Sequence, residues 1–235
     1  DLDTWTTNTL EGFDFRSLDF TTSGLVYAVG FQTFARSSDG GDSWVKVPGP
    51  AERSRLERVS FIDNVVGVVA EVRDVWHTVD GGISWDKVLT VGADIRSLQL
   101  NDDGTGFLMT ADREVFRTGD SGRSWARVAP DFADHFAEAF FAVDGETWLF
   151  AGRDGFVAET RDAGASVEVI SSAIRFDLAE PTFPTSSIAL ALGYPDTGRP
   201  VILRSIDGGN HWGVLRETLL QPVRMETLGP ELCVI

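Results

Sequence analysis

Thr78-Val79-Asp80-Gly81-Gly82-Ile83-Ser84-Trp85 is the clearest copy of an eight-residue pattern that occurs five times along the chain. In every copy the first residue is Ser or Thr, the third is Asp and the fifth is Gly, and four of the copies end in Trp. Successive copies start 41, 40, 42 and 45 residues apart. A repeat of about 40 residues indicates an array of similar structural units. The third-position residues are Asp39, Asp80, Asp120, Asp162 and Asp207.

The residue types of this pattern are typical of a tight turn. Asp, Ser and Thr side chains form hydrogen bonds with nearby backbone groups, and Gly supplies a positive φ angle. A short β-prone run precedes each copy, such as Val115-Phe116-Arg117, and the final Trp begins another strand, with its ring expected to pack in the core. Each copy therefore predicts a hairpin turn in which the Asp has a structural role.

Two further predicted strands precede each hairpin. In the second repeat they are an inner strand at residues 58–62 and a small, apolar strand at residues 65–70, which is expected to be buried on both faces. Four strands in each repeat of about 40 residues are typical of a propeller blade. The sequence therefore predicts an all-β fold, a β-propeller with four-stranded blades.

The two ends of the chain predict how the propeller closes. Trp5 lies 39 residues before Trp44, so the N-terminal strand is expected to complete the last blade and to remove an open sheet edge. We therefore expect one six-bladed domain. The alternative is a fragment of a seven-bladed propeller, because the chain stops within a predicted strand. The predicted blades are residues 12–47, 56–89, 94–128, 135–170, 173–215, and 223–235 together with 1–7.

Composition excludes several classes of function. The chain of 235 residues has 36 Asp and Glu against 20 Lys and Arg, and its formal net charge of −16 makes its surface as a whole unsuited to nucleic acid or anionic lipid. No apolar run reaches the roughly 18–20 residues of a membrane-spanning helix. Asp1-Leu2-Asp3 is not the start of a signal peptide, so we expect a leader to be absent from this chain. Cys233 is the single cysteine, which excludes an intrachain disulfide.

The pattern is similar to the Asp-box, or bacterial neuraminidase repeat. The whole repeat most resembles the photosystem II assembly and stability factor family and its bacterial relatives, through Arg16-Ser17-Leu18, Ala28-Val29-Gly30 and residues 36–41 of the first repeat. This resemblance covers essentially the whole chain. It implies an extracytoplasmic scaffold that binds other proteins through an arginine-rich patch on one face. The fourth repeat departs from the family pattern at Glu159 and Val167, and the fifth has an insertion at residues 194–200.

Eight arginines occupy two equivalent positions of the repeats. One position is the start of an inner strand, and the other follows the second strand, so both are expected at the end of each blade opposite the Asp turns. Convergent guanidinium groups bind carboxylates, often through two hydrogen bonds. We expect this face to bind an acidic segment of a partner protein, with the propeller acting as a monomer. The arginines are Arg16, Arg58, Arg73, Arg96, Arg113, Arg153, Arg199 and Arg224.

An alternative for these arginines is purely structural. Each could pair with an acid close to it in the predicted fold, and the guanidinium groups would then hold the strands in place instead of binding a partner. The acids considered are Asp14, Glu57, Asp94 and Glu226.

An enzymatic alternative is a glycoside hydrolase with a site in the loops of the fifth and sixth blades. A sialidase needs a tyrosine nucleophile, and only Tyr27 and Tyr194 are available, the first within a strand that is expected to be buried. A two-carboxylate hydrolase would best be sought around Asp196 in the insertion. The histidines are scattered and suggest no metal site, so neither a metal nor a cofactor is expected; they are His77, His135 and His211.

Overall fold

The computed structural model is built almost entirely of β-strands. The described residues contain 22 strands and one short 3-10 turn, Arg153–Gly155. The chain divides into two compact units, a first unit of residues 2–127 and a second unit of residues 128–235 with residue 1. The structure describes residues 12, 14–51, 54–128, 137–142, 145–170, 177–182, 188–195, 199–207, 211–217, 225–228 and 231–234.

The first unit contains three sheets of four strands, and each sheet is an antiparallel meander in which neighbours in sequence pair. The first sheet consists of β1 (Phe15–Phe20), β2 (Val26–Gly30), β3 (Thr33–Ser37) and β4 (Val45–Lys46). The second consists of β5 (Leu56–Phe61), β6 (Gly67–Glu71), β7 (Asp74–Thr78) and β8 (Asp86–Thr90). The third consists of β9 (Ile95–Leu100), β10 (Gly106–Thr110), β11 (Val115–Thr118) and β12 (Ala126–Val128).

The second unit contains two more four-stranded meanders and one sheet of two strands. The fourth sheet consists of β13 (Ala137–Ala142), β14 (Trp148–Gly152), β15 (Val157–Thr160) and β16 (Glu168–Ile170). The fifth consists of β17 (Asp177–Thr182), β18 (Ala189–Tyr194), β19 (Val201–Ser205) and β20 (Trp212–Glu217). The two-stranded sheet pairs β21 (Met225–Leu228) with β22 (Glu231–Val234).

This architecture is that of an all-β β-propeller, but the expected number of blades is not reached. The described residues contain five four-stranded blades instead of six, because the last sheet has only the β21 and β22 strands. The strand that was predicted to complete it, residues 1–7, lies outside the described residues.

Burial falls from the second strand of a sheet to the fourth. Every residue of β2, β10 and β14 is buried, as predicted for small, apolar runs. The two residues of β4 are both exposed. Since a strand covered on both faces needs no polar alternation, the apolar run alone marks it as the centre of the sheet.

Neighbouring sheets of the first unit are joined by side chains of their first strands. The backbone N–H of Val59 donates to Ser17 Oγ at 3.4 Å, and that of Leu100 donates to Ser60 Oγ at 3.0 Å. All of these groups are buried, and buried polar groups of this kind are normally satisfied by such hydrogen bonds. The serines of the inner strands therefore connect the first sheet to the second and the second to the third.

Candidate functional site

Five of the eight arginines lie at one end of the three sheets in the first unit, which we call the arginine end. The strand register places them there. At this end Leu56 pairs with Glu71, whereas Phe61 pairs with Gly67 at the opposite end. The starts of the inner strands and the turns after the second strands therefore share the arginine end. Its arginines from the predicted set are Arg16, Arg58, Arg73, Arg96 and Arg113.

Backbone hydrogen bonds connect adjacent sheets at the arginine end. The N–H of Gln32, in the turn after β2, donates to the carbonyl of Ser54 at 2.9 Å, just before β5. In the same way, the N–H of Ile95 donates to the carbonyl of Val72 at 2.7 Å. The turns after β2 and β6 therefore lie against the starts of the next sheets, and the second contact brings Arg73 close to β9, the strand that carries Arg96.

Glu57 is the centre of a small ionic cluster at this end. Its carboxylate lies 3.4 Å from Arg16 Nη1 and 2.5 Å from Arg55 Nε, and thus pairs two guanidinium groups. Arg58 lies beside them and donates from Nη1 to the carbonyl of Glu57 at 2.7 Å and from Nε to the carbonyl of Arg96 at 2.6 Å. Two guanidinium groups from neighbouring sheets therefore pair with a single carboxylate, and that of Arg58 is held beside them by backbone carbonyls.

Arg55 was not among the predicted site residues. It lies just before β5, and its backbone forms an isolated bridge with Phe31. The run Arg55-Leu56-Glu57-Arg58 was the available signal, because side chains two residues apart on a strand point to the same face. Arg55 precedes the strand, so it does not occupy the inner-strand position that the repeat assigns to the other arginines.

Arg73 forms an ion pair that the structural alternative anticipated. Its Nε lies 3.2 Å from Asp94 Oδ1, and the two side chains are 58% and 54% exposed. An ion pair this open to solvent contributes only about 0–1 kcal/mol to stability. Its main consequence is to hold Arg73 next to β9, the strand that carries Arg96.

Arg96 and Arg113 are exposed at the arginine end. The backbone of Arg113 has a φ of +68°, and its N–H donates to the carbonyl of Thr110 at 3.0 Å, which closes the turn between β10 and β11. Only a few per cent of residues other than Gly adopt this conformation. The turn therefore presents Arg113 at a fixed position beside the third sheet.

The second unit repeats part of this arrangement. Arg153 is exposed in the turn after β14, where the N–H of Asp154 donates to Asp177 Oδ1 at 3.0 Å at the start of β17. Arg199 is exposed before β19, at the same end of the fifth sheet. The last predicted arginine, Arg224, lies outside the described residues.

The aspartates of the repeated pattern lie at the opposite end of the sheets and form closed turns. Asp80 accepts hydrogen bonds from the Ser84 hydroxyl at 2.6 Å, the Ser84 N–H at 2.9 Å and the Thr78 hydroxyl at 2.8 Å. The buried Thr78 hydroxyl also accepts from the N–H of Gly82 at 3.0 Å. Since its carboxylate is engaged within the turn, Asp80 has the structural role that the pattern predicts.

The hydrogen bonds to the aspartate, from the first residue's hydroxyl and from the backbone and side chain of the seventh residue, recur in all five turns. His211 replaces the serine in the last one and still contacts Asp207, through Nδ1 at 2.6 Å from Oδ2. The side-chain and backbone hydrogen bonds lower the pKa of these carboxyls to about 2, so they stay ionised at neutral pH. The aspartates are Asp39, Asp80, Asp120, Asp162 and Asp207.

Tyr27 and His77, two of the groups considered for catalysis or metal binding, are enclosed in the fold. The Tyr27 hydroxyl is buried and donates to the carbonyl of Asn64 at 2.9 Å, and burial raises its pKa, which makes it a poor nucleophile. Burial lowers the pKa of His77, which is almost fully enclosed. No group of three or more potential metal ligands occurs among the described residues, and no helix among them could span a membrane. Asp196 and His135 lie outside the described residues.

No protein-family model matches the chain, and no curated protein matches it. Solved structures do match. YCF48 bound to a D1 peptide has a TM-score of 0.61 and 16% identity, covering 94% of this chain and 89% of its own. YCF48 from Cyanidioschyzon merolae has a TM-score of 0.60 and 15% identity, covering 94% and 92%.

Enzymes share the same architecture. An ancestral GH74 enzyme has a TM-score of 0.66 and 15% identity, and the match covers 86% of this chain but 31% of the enzyme. Structural matches at such low sequence identity establish the fold only. Function has to be argued from the residues of the site, because one fold carries many functions. The chain is a β-propeller protein, with YCF48 and GH74 propellers among its structural neighbours.

Proposed function

We propose that this protein is a non-enzymatic binding or assembly scaffold that recognises an acidic segment of a partner protein at the arginine end. The observation that carries the proposal is the pairing of Arg16 and Arg55 with the Glu57 carboxylate, beside Arg58, whose guanidinium group donates to the carbonyls of Glu57 and Arg96. Guanidinium groups held together in this way offer several N–H donors to a second carboxylate.

The charge balance at the inner strands supports this proposal. The starts of β1, β5 and β9, with the residue immediately before each strand, contribute four arginines and three acids; these are Arg16, Arg55, Arg58 and Arg96, and Asp14, Glu57 and Asp94. The nearby Asp94 is held by Arg73. In a protein of net charge −16, a local excess of positive charge is a feature that favours carboxylate ligands.

The purely structural alternative accounts for some of the predicted arginines, and it is compatible with binding of a ligand. Glu57 and Asp94 do pair with Arg16 and Arg73, as that alternative predicts. Glu57, however, is shared between two guanidinium groups, and those hydrogen bonds fix the orientation of the arginines before a ligand arrives. Such preorganisation reduces the entropy that binding would cost.

Four finer features belong to the same proposal. The sixth blade is completed when residues 1–7 pair with the two-stranded sheet, and the pattern is an Asp-box. The protein acts as a monomer, and it acts outside the cytoplasm, as its family resemblance implies. The neighbour YCF48, solved with a bound D1 peptide, supports the idea that a propeller of this kind takes a protein segment as its ligand.

Replacing Arg58, Arg96 and Arg113 together by Gln should strongly weaken the binding of an acidic peptide. The probe is a fluorescein-labelled peptide of alternating Glu and Ser, measured by anisotropy at low and at physiological salt. We expect the Kd to rise by about tenfold or more, since truncation of a few central arginines commonly costs 2 kcal/mol or more. The affinity of the native protein should weaken as salt is added.

The matched control replaces three exposed arginines elsewhere, Arg36, Arg161 and Arg204, by Gln. It changes the net charge by the same amount, and we expect its Kd to remain near that of the native protein. Thermal unfolding should show that both variants are folded. Equal weakening in the two variants, or unchanged binding in the first, would contradict the proposal.

The second candidate is a glycoside hydrolase, favoured by the GH74 propellers among the structural neighbours. Its predicted location is the insertion at residues 194–200, of which residues 196–198 lie outside the described part of the chain. Release of reducing sugar from xyloglucan by the native protein, with loss of that activity in Asp196→Asn, would replace the scaffold proposal.

A further inference from the structure

Three exposed apolar side chains lie at the end of the first unit opposite the arginine end. We call this the turn end; its segments are residues 21–24, 37–44, 62–66, 78–85, 101–105 and 118–125. The side chains of Val65, Val79 and Ile83, all in the second sheet, are 46%, 51% and 77% exposed. A cluster of this kind on a soluble protein is a feature of interaction sites, whereas single exposed apolar residues are common.

The three residues form one patch. Val79 and Ile83 flank the Asp80 turn, and the N–H of Gly81, within that turn, donates to the carbonyl of Val65 at 2.9 Å. The β5–β6 hairpin and the Asp80 turn are therefore in direct contact. We call Val65, Val79 and Ile83 the apolar patch.

The fold itself does not require these apolar side chains. In the turn of the first sheet, the positions of Val79 and Ile83 are held by Ser38 and Asp42. The central hydrogen bond is nevertheless the same, from Ser43 N–H to Asp39 at 2.9 Å and from Ser84 N–H to Asp80 at 2.9 Å. The exposed apolar residues therefore have no role in forming the turn.

The surroundings of the patch are strongly acidic. The segments of the turn end contain seven aspartates and one cation, Arg123. Asn64 Oδ1 of the second sheet accepts from the Ser23 hydroxyl of the first sheet at 2.6 Å, and within the third sheet the N–H of Ser121 donates to the carbonyl of Gly104 at 2.8 Å. Gly122 of the third sheet lies against Val68 of the second, since a Cβ there would be 2.6 Å from Val68 Cγ1. These contacts hold the segments on one surface. The aspartates are Asp39, Asp42, Asp63, Asp80, Asp102, Asp103 and Asp120.

We propose that the apolar patch is a docking site for a basic protein segment that carries apolar side chains. The apolar side chains would cover Val65, Val79 and Ile83, and lysine or arginine side chains would meet the surrounding carboxylates. Apolar contact at the centre with charge complementarity at the rim is the common anatomy of protein interfaces. This site is separate from the arginine end and does not depend on the function proposed for it.

The double variant Val79→Ser, Ile83→Asp tests the proposal, because it copies the residues of the first-sheet turn and should leave the fold intact. The probe is a labelled peptide of alternating Lys and Leu, measured by anisotropy with the full chain. We expect the Kd to rise by about tenfold or more, since two apolar side chains lose their burial. The added carboxylate would strengthen a purely electrostatic contact, so weaker binding isolates the apolar contribution.

Two controls complete the experiment. Ile206 occupies the Val79 position in the turn of the fifth sheet and is 71% exposed, and Ile206→Ser should leave the affinity unchanged. A peptide of alternating Glu and Leu should not bind. The proposal is wrong if the double variant binds the Lys-Leu peptide as well as the native protein does, or if the Glu-Leu peptide binds equally. It is also wrong if sedimentation shows reversible self-association that the double variant loses, because the patch would then bind a second copy.

Discussion

Gly82→Ala should destabilise the protein by about 3 kcal/mol or more. Gly82 has a φ of +88°, and a Cβ there would lie 2.4 Å from Phe34 Cε1 and 3.2 Å from Trp85 Cζ2. Phe34 is buried and packs edge-on against Trp85 with ring centroids 5.4 Å apart. The ring therefore has little room to move, and overpacking adds to the strain of a left-handed backbone. The free energy of unfolding in urea measures the loss.

Gly41→Ala is the matched control, because it changes the same position of the turn in the first sheet. Gly41 has a φ of +103°, but the nearest atom to its Cβ would be Trp44 Cζ2 at 3.7 Å, an ordinary contact. We expect a loss of about 1–2 kcal/mol from backbone strain alone. If the two variants lost equal free energy of unfolding, the contact of the turn with Phe34 and Trp85 would not require a glycine at position 82.

Acid should unfold the protein as the pH falls from about 4 to about 2. The hydrogen bonds of the turns lower the pKa of the five repeat aspartates from 3.8 to about 2 in the folded state. A carboxyl with a lowered folded-state pKa stabilises the fold above its unfolded-state pKa, and that stabilisation is lost as the pH falls through the folded-state value. Circular dichroism across this range measures the transition.

The double variant Ser84→Ala, Ser124→Ala tests whether the turn aspartates, and not the other carboxyl groups, cause the acid unfolding. It removes the serine hydroxyls that lower the pKa of Asp80 and Asp120 most, so the acid midpoint should move upward by a few tenths of a pH unit. Ser23→Ala, which alters contacts with Thr21 and Asn64 only, should leave the midpoint in place. If both variants unfolded at the same pH, the turn aspartates would not be the cause of the acid unfolding.

The turn was predictable from sequence because its interactions are local. Asp80 contacts residues at most four positions away, so the identities of Thr78 and Ser84 already determine the hydrogen bonds. The meander order follows from the same repeat, because short connections pair neighbouring strands. The four-stranded meander of a blade therefore followed from spacing and residue type, whereas the expected six blades are not reached among the described residues.

The ionic cluster was less predictable because it depends on contacts between sheets. Arg16 and Glu57 are 41 residues apart, and their ion pair requires the first two sheets to lie side by side. Arg58 donates to backbone carbonyls, which no pairing of charges in the sequence would suggest. The repeat located the arginines, but the packing of β1 against β5 was needed to identify Glu57 as the partner of Arg16.

Side-chain NMR of the arginines tests the central claim most directly. The Nε–Hε signals of the ¹⁵N-labelled protein are followed while the Glu-Ser peptide is added. The proposal predicts saturable shifts for Arg58, Arg96 and Arg113, with the signals of Arg36 and Arg204 unchanged. Shifts of similar size at all of these arginines, or none at the arginine end, would contradict it.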